Sequence, residues 1–101
     1  MIVYNITTKV AVQVSEEWLQ WLQAEHVPEI LNTGCFTAAK LMRLLEQNDS
    51  EGPTYTVQFT TSSIAAYEYY LAEHADELRQ KAFDKWGNQF ISFRSLMEIV
   101  Q

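Results

Sequence analysis

The spacing of the apolar residues switches twice along the chain from a period of two to a helical period and back. From Ile2 to Val12, Ile2, Tyr4, Ile6, Val10 and Val12 fall on one face, and Asn5, Thr7, Lys9 and Gln13 on the other. A period of two with unlike faces is a strand that buries one side. Ser15 then offers an N-cap oxygen, and Glu16 and Glu17 follow where negative charge suits a helix start. Trp18, Trp21, Leu22 and His26 recur at helical spacing and form one stripe. Pro28 ends or kinks that helix and can open one further turn through Leu31, with Gly34 as its stop.

The second half repeats the switch. A strand is expected from about Cys35 to Leu45, a polar turn over Asn48-Asp49-Ser50-Glu51-Gly52-Pro53, and a third strand in which Tyr55, Val57 and Phe59 alternate with Thr56, Gln58 and Thr60. Ser62 or Ser63 caps a second helix with the stripe Ile64, Tyr67, Leu71, His74, Leu78 and Ala82, while Arg79 falls mostly off it. Gly87-Asn88 ends that helix, and Phe90 to Val100 is the last strand. The order is strand, helix, strand, strand, helix, strand, the split βαβ arrangement of ferredoxin-like folds. The expectation is therefore an α+β, ferredoxin-like βαββαβ domain over residues 1–101, with a four-stranded antiparallel sheet and two helices on one face.

Two helices cover only one face of such a sheet. In the last strand Ile91, Phe93, Met97 and Ile99 point one way, and Phe90, Leu96 and Val100 the other. A second copy of the chain is the simplest cover for the open face, so a homodimer through the sheet face is expected.

Composition narrows the function classes. Seven basic against 13 acidic side chains give a net charge of −6, which disfavours phosphate backbones and anionic membranes. No run approaches the roughly 18 apolar residues of a membrane helix, and no secretory leader is visible, so no membrane partner and a cytoplasmic location are expected. The lone Cys35 excludes an intrachain disulfide and any multi-cysteine metal site. The strand order is shared with RNA-recognition motifs, and Ile2-Val3-Tyr4-Asn5-Ile6 and Tyr55-Thr56-Val57-Gln58-Phe59 echo their aromatic strands. Those motifs expect a basic residue and glycines before the third strand, whereas Glu51-Gly52-Pro53 stands here, so no nucleic acid is expected.

Met1-Ile2-Val3-Tyr4-Asn5, Trp18-Leu19-x-Trp21, His26-x-Pro28-Glu29-x-Leu31-x-Thr33-Gly34, Arg43-Leu44-Leu45-Glu46, Tyr55-x-Val57-Gln58 and Phe93-Arg94-x-Leu96 together resemble a family of small bacterial proteins known only as a domain of unknown function. More distantly the chain is similar to the dimeric α+β barrel superfamily, which includes small monooxygenases, haem-degrading enzymes, isomerases and cyclases. That resemblance implies a ferredoxin-like protomer whose sheet pairs with that of a second copy to form a barrel. It implies no single reaction, because the fold hosts many.

Few groups carry chemistry. His26 shares the helix stripe of Trp18 and Leu22, so it faces the sheet, where it is either a general acid or base or a core histidine bonded to a backbone carbonyl. EthD-like members of the superfamily have an analogous His-x-Pro after the first helix. His74 and Asn5 occupy places comparable to the histidine and asparagine of the haem-degrading members, but the third strand lacks their tryptophan. Trp18, Trp21 and Tyr67 are candidates to line an aromatic pocket, and Arg43 with Arg94 to hold an anion, unless they pair with Glu46 and Glu98. Glu25, His26 and Glu29, or His74, Asp76 and Glu77, are weak metal sets, and no metal or cofactor is expected. Cys35 is better read as a small buried side chain than as a nucleophile. The leading expectation is a homodimeric binding or structural module with a possible small-molecule ligand. The alternative is a cofactor-independent monooxygenase, isomerase or cyclase using His26 in a pocket between helices and sheet.

Overall fold

The computed structural model describes all residues, Met1–Gln101. Its strands are β1 (Ile2–Val10), β2 (Ala38–Arg43), β3 (Thr54–Thr61) and β4 (Phe90–Glu98), and its helices are α1 (Ser15–Trp21), α2 (Val27–Leu31), α3 (Ile64–Glu73) and α4 (Ala75–Trp86). The sheet order is β2-β3-β1-β4, antiparallel throughout, so the two strands bearing the clearest alternation lie side by side. Tyr4 opposes Phe59 on β3 and Leu96 on β4, and Ile6 opposes Val57 and Arg94. Directly opposed residues share a face, so the helix side of the sheet carries Tyr4, Ile6, Thr8, Val10, Tyr55, Val57, Phe59, Phe90, Ser92 and Arg94. The fold is ferredoxin-like α+β, and no helix is long and apolar enough to cross a membrane.

Several local expectations are corrected. Val12 leaves the strand for a 3-10 turn over Val12–Val14. That turn leads straight into α1, so Ser15 is already helical and its hydroxyl donates to the Val12 carbonyl (3.1 Å) instead of capping. β2 is shorter than Cys35 to Leu45, because Cys35 and Phe36 are buried as a loop beneath the helices before pairing starts. β4 stops at Glu98, short of Val100. The second helix breaks at His74, whose φ of −129° separates α3 from α4. The break turns the buried stripe of α4 to Ala75, Leu78, Ala82 and Trp86, and makes Tyr70 the buried residue of α3, with Ile64 exposed. The cap at Ser63 holds, its hydroxyl accepting the Ala66 N–H at 3.2 Å.

Between α1 and α2, Leu22–His26 form one π-helical turn, closed by the Val27 N–H donating to the Leu22 carbonyl. Pro28 explains it. A regular helix would need a Pro28 N–H for the Ala24 carbonyl, and the proline ring would crowd that oxygen. Widening the preceding turn moves the carbonyl aside, and the chain continues through α2 to Gly34, whose φ of +79° ends it.

The core is aromatic. Tyr4 packs against Phe36, Phe59, Tyr67 and Tyr70 with ring centroids 5.2 to 6.4 Å apart, and Trp18 stacks on Tyr55 at 5.8 Å. The opposite face of the sheet stays uncovered, as its pattern predicts: Ile91 is 70% and Phe93 69% exposed there.

Candidate functional site

One cavity of about 60 Å³ lies between the helices and the sheet, partly open to solvent. Its floor is Ile6 and Thr8 of β1, Tyr55, Val57 and Phe59 of β3, and Phe90, Ser92 and Arg94 of β4. Its roof is Trp18, Trp21, Leu22, His26 and Ile30 from the first helical segment, with Arg79 and Ala82 from α4. Thr8 and Ser92, on adjacent strands, share a hydroxyl hydrogen bond of 2.7 Å in that floor.

His26 reaches this cavity because of the π turn. Its ring stacks on Trp21 with centroids 4.6 Å apart and planes at 20°. Nδ1 is buried and has no hydrogen-bond partner, so the backbone bond expected of a core histidine is absent. Burial is the main influence on its titration and pushes the pKa from 6.5 down to about 4; Glu29 pulls it upward, and Arg94 pushes it further down. The imidazole is therefore neutral at pH 7.

Two guanidinium groups share the cavity. Arg79 donates one bond, to the Tyr4 hydroxyl at 3.0 Å, leaving most of its five donors free. Arg94 forms no ion pair; the two ion pairs of the chain are Arg43–Asp49 (2.6 Å) and Lys81–Glu29 (2.8 Å). No aspartate or glutamate lines the cavity.

The remaining sequence candidates are dispersed. Trp18 and Trp21 line the cavity, but Trp18 spends one ring face on Tyr55. Tyr67 lies against Tyr4 near the two arginines, and burial raises its pKa. Arg43 is held by Asp49 at the far end of β2, so the Arg43–Arg94 pair does not form. Asn5 projects to the open face of the sheet, where its amide donates to Thr7, while His74 sits between α3 and α4 beside Tyr69 and Tyr70. The sheet separates these two, so the arrangement of the haem-degrading proteins is not assembled. No three His, Cys, Asp or Glu side chains converge as a metal site, and Cys35 is buried. Sequence reasoning missed Arg79. Its signal was present: counted back from Trp86, the series Trp86, Ala82, Arg79 or Leu78, Ala75 is a helical stripe.

These features define a class: a ferredoxin-like α+β protein with a small cleft between helices and sheet. Within it, the chain belongs to the family described as Domain of unknown function (DUF4286), whose model matches residues 1–100. No curated protein matches the chain in sequence. Among solved structures it is similar to a dimeric ferredoxin-like protein from an uncultured marine organism (TM-score 0.69, 14% identity, 99% of this chain and 95% of that one). It is also similar to SnoaB, a cofactor-independent oxygenase from Streptomyces nogalater (0.69, 14%, 99% and 94%). A third is an EthD family protein from Bacillus halodurans (0.68, 11%, 99% and 100%). At these identities the likeness is one of fold.

Proposed function

We propose that the chain is one protomer of a homodimeric α+β barrel and a binding module for a small molecule held in the cavity beside His26. The observation that carries the binding role is the cavity itself, walled by apolar side chains and by two guanidiniums, Arg79 and Arg94, with no carboxylate to pair them. Dimerisation is supported by the uncovered row of Ile91, Phe93 and Met97 with Val3 beside it, and by the dimeric neighbour of the same fold. The acidic chain and its single free thiol, Cys35, suit a cytoplasmic setting.

The test is ligand-induced stabilisation in the full chain and in Ala82→Met, which fills the cavity from α4. Small neutral and charged fragments are expected to raise the melting temperature of the native chain and not of the variant. Equal shifts in both proteins would place any binding elsewhere.

A second reading, an enzyme in which His26 removes a proton, is favoured by the neutral imidazole beside two guanidiniums that would stabilise a developing oxyanion. A base with a pKa of about 4 is poorly matched to proton abstraction at neutral pH, which ranks binding above catalysis.

A further inference from the structure

We propose that the cavity selects a short aliphatic carboxylate, its hydrocarbon chain inside and its carboxylate on Arg94 and Arg79. This rests on the binding role proposed above and names the class of ligand.

The chain carries 13 acidic side chains against seven basic ones, yet the charged residues lining the cavity are two arginines. The other cations are engaged or remote. Arg43 and Lys81 pair with carboxylates. Lys85 lies over the Trp86 ring at 5.5 Å. Lys9 and Lys40 alternate with the buried residues of β1 and β2 and so sit on the open face of the sheet. Arg94 has neither an ion pair nor a side-chain bond, although its strand position puts it on the helix side, opposite Ile6. A planar guanidinium with free donors matches a carboxylate in two parallel bonds.

About 60 Å³ is the share of roughly two water molecules, well under the ~150 Å³ of a cavity that takes up benzene. An aromatic ring is too large to enter whole. A chain of two or three carbons, as in butyrate, with its carboxylate toward the exposed Arg94, fits. Leu22, Ile30, Val57 and Phe59 give that chain apolar walls.

The experiment is a titration of the full-length, isotope-labelled protein with butyrate, its neutral isostere butyramide, 1-butanol and benzoate, following the indole N–H signals of Trp18 and Trp21. Butyrate is expected to bind about tenfold more tightly than butyramide, the size of one charge-assisted hydrogen bond. Arg94→Gln should cut the preference for butyrate over butyramide, and Lys40→Gln, on the open face of the sheet, should alter neither affinity. Raising sodium chloride from 10 to 500 mM should weaken butyrate and spare butyramide, a readout that needs no variant. Butyramide binding as tightly as butyrate would overturn the carboxylate selection and leave the cavity a binding site. Benzoate binding more tightly than butyrate would overturn the size assignment. Indole signals unmoved by any of the four probes would overturn the binding role itself.

Discussion

Trp21 and His26 stack face to face at 4.6 Å although they stand five positions apart in the chain. In a regular α-helix two such residues point about 140° apart, so the stack exists only because the turn between them is π-helical. Pro28 widens the turn, the turn carries His26 over Trp21, and the stack presents the imidazole to the cavity. A sequence feature that reads as a helix breaker thus acts as a positioning device for the side chain two residues before it.

The stack and the unpartnered Nδ1 act on stability in opposite directions. His26→Phe keeps an aromatic ring on Trp21 and removes the orphaned nitrogen, so the variant is expected to be as stable as the native chain or more stable by about 1 kcal/mol. His26→Ala loses the stack and should cost about 1–2 kcal/mol. Urea denaturation separates the two; a loss in His26→Phe as large as in His26→Ala would mean that the ring nitrogens are bonded in the native protein.

Acid should expose the same residue. The imidazole titrates at about 4 when folded and near 6.5 when unfolded. Between these values the unfolded chain binds more protons, so His26 favours the native state above pH 6.5 and that contribution is lost as pH falls toward 4. The full effect is on the order of 3 kcal/mol. Carboxylates also titrate in this window, so the quantity to measure is the difference between the native chain and His26→Phe. The native chain should lose more stability between pH 7 and 4, and parallel curves would contradict the depressed value.

The two turn glycines should differ in their tolerance of a side chain. Gly34 has φ of +79° with open space where a Cβ would lie, so Gly34→Ala meets only backbone strain, about 1 kcal/mol. At Gly52, with φ of +141°, a Cβ would fall 1.7 Å from the Val10 carbonyl oxygen. There the 51–53 segment is bonded to the end of β1 through Val10 to Pro53 and Val12 to Glu51. Gly52→Ala must displace that contact and should cost on the order of 3 kcal/mol. Equal, small losses in chemical denaturation would show that the turn yields freely.

Most of the architecture was legible because each element has its own period. The alternation of β1 and β3, the stop at Gly34, the cap at Ser63 and the two-faced β4 all follow from residue type and spacing. What escaped depended on helix phase. The stripe drawn through His74 assumed an unbroken helix, and the break there brings Arg79 under the roof of the cavity. The π turn escaped for the same reason, since periodicity shows where a helix interrupts its phase only when the interruption is already known. Arg43 lies apart from Arg94 because β2 and β4 are the two outer strands of the sheet, an order that residue spacing alone does not show.

The apolar row on the open face should hold two copies together. Sedimentation of the native chain at micromolar concentration is expected to give twice the 11.7 kDa chain mass. Phe93→Glu puts a charge at the centre of that row and should give the single-chain mass without loss of helix content. A native chain that sediments as a monomer would remove the sheet face as an interface.

His26 is a neutral, half-buried imidazole in the wall of the cavity rather than a solvated surface group. Nitrogen-15 resonances of its ring, followed from pH 3 to 8 in a His74→Gln background that leaves one imidazole to observe, test this most directly. The ring should remain a neutral tautomer from pH 8 down past 5 and take up its proton near pH 4. A midpoint at the ordinary 6.5 would show that water reaches the ring freely and would contradict its place in the packed wall of the cavity.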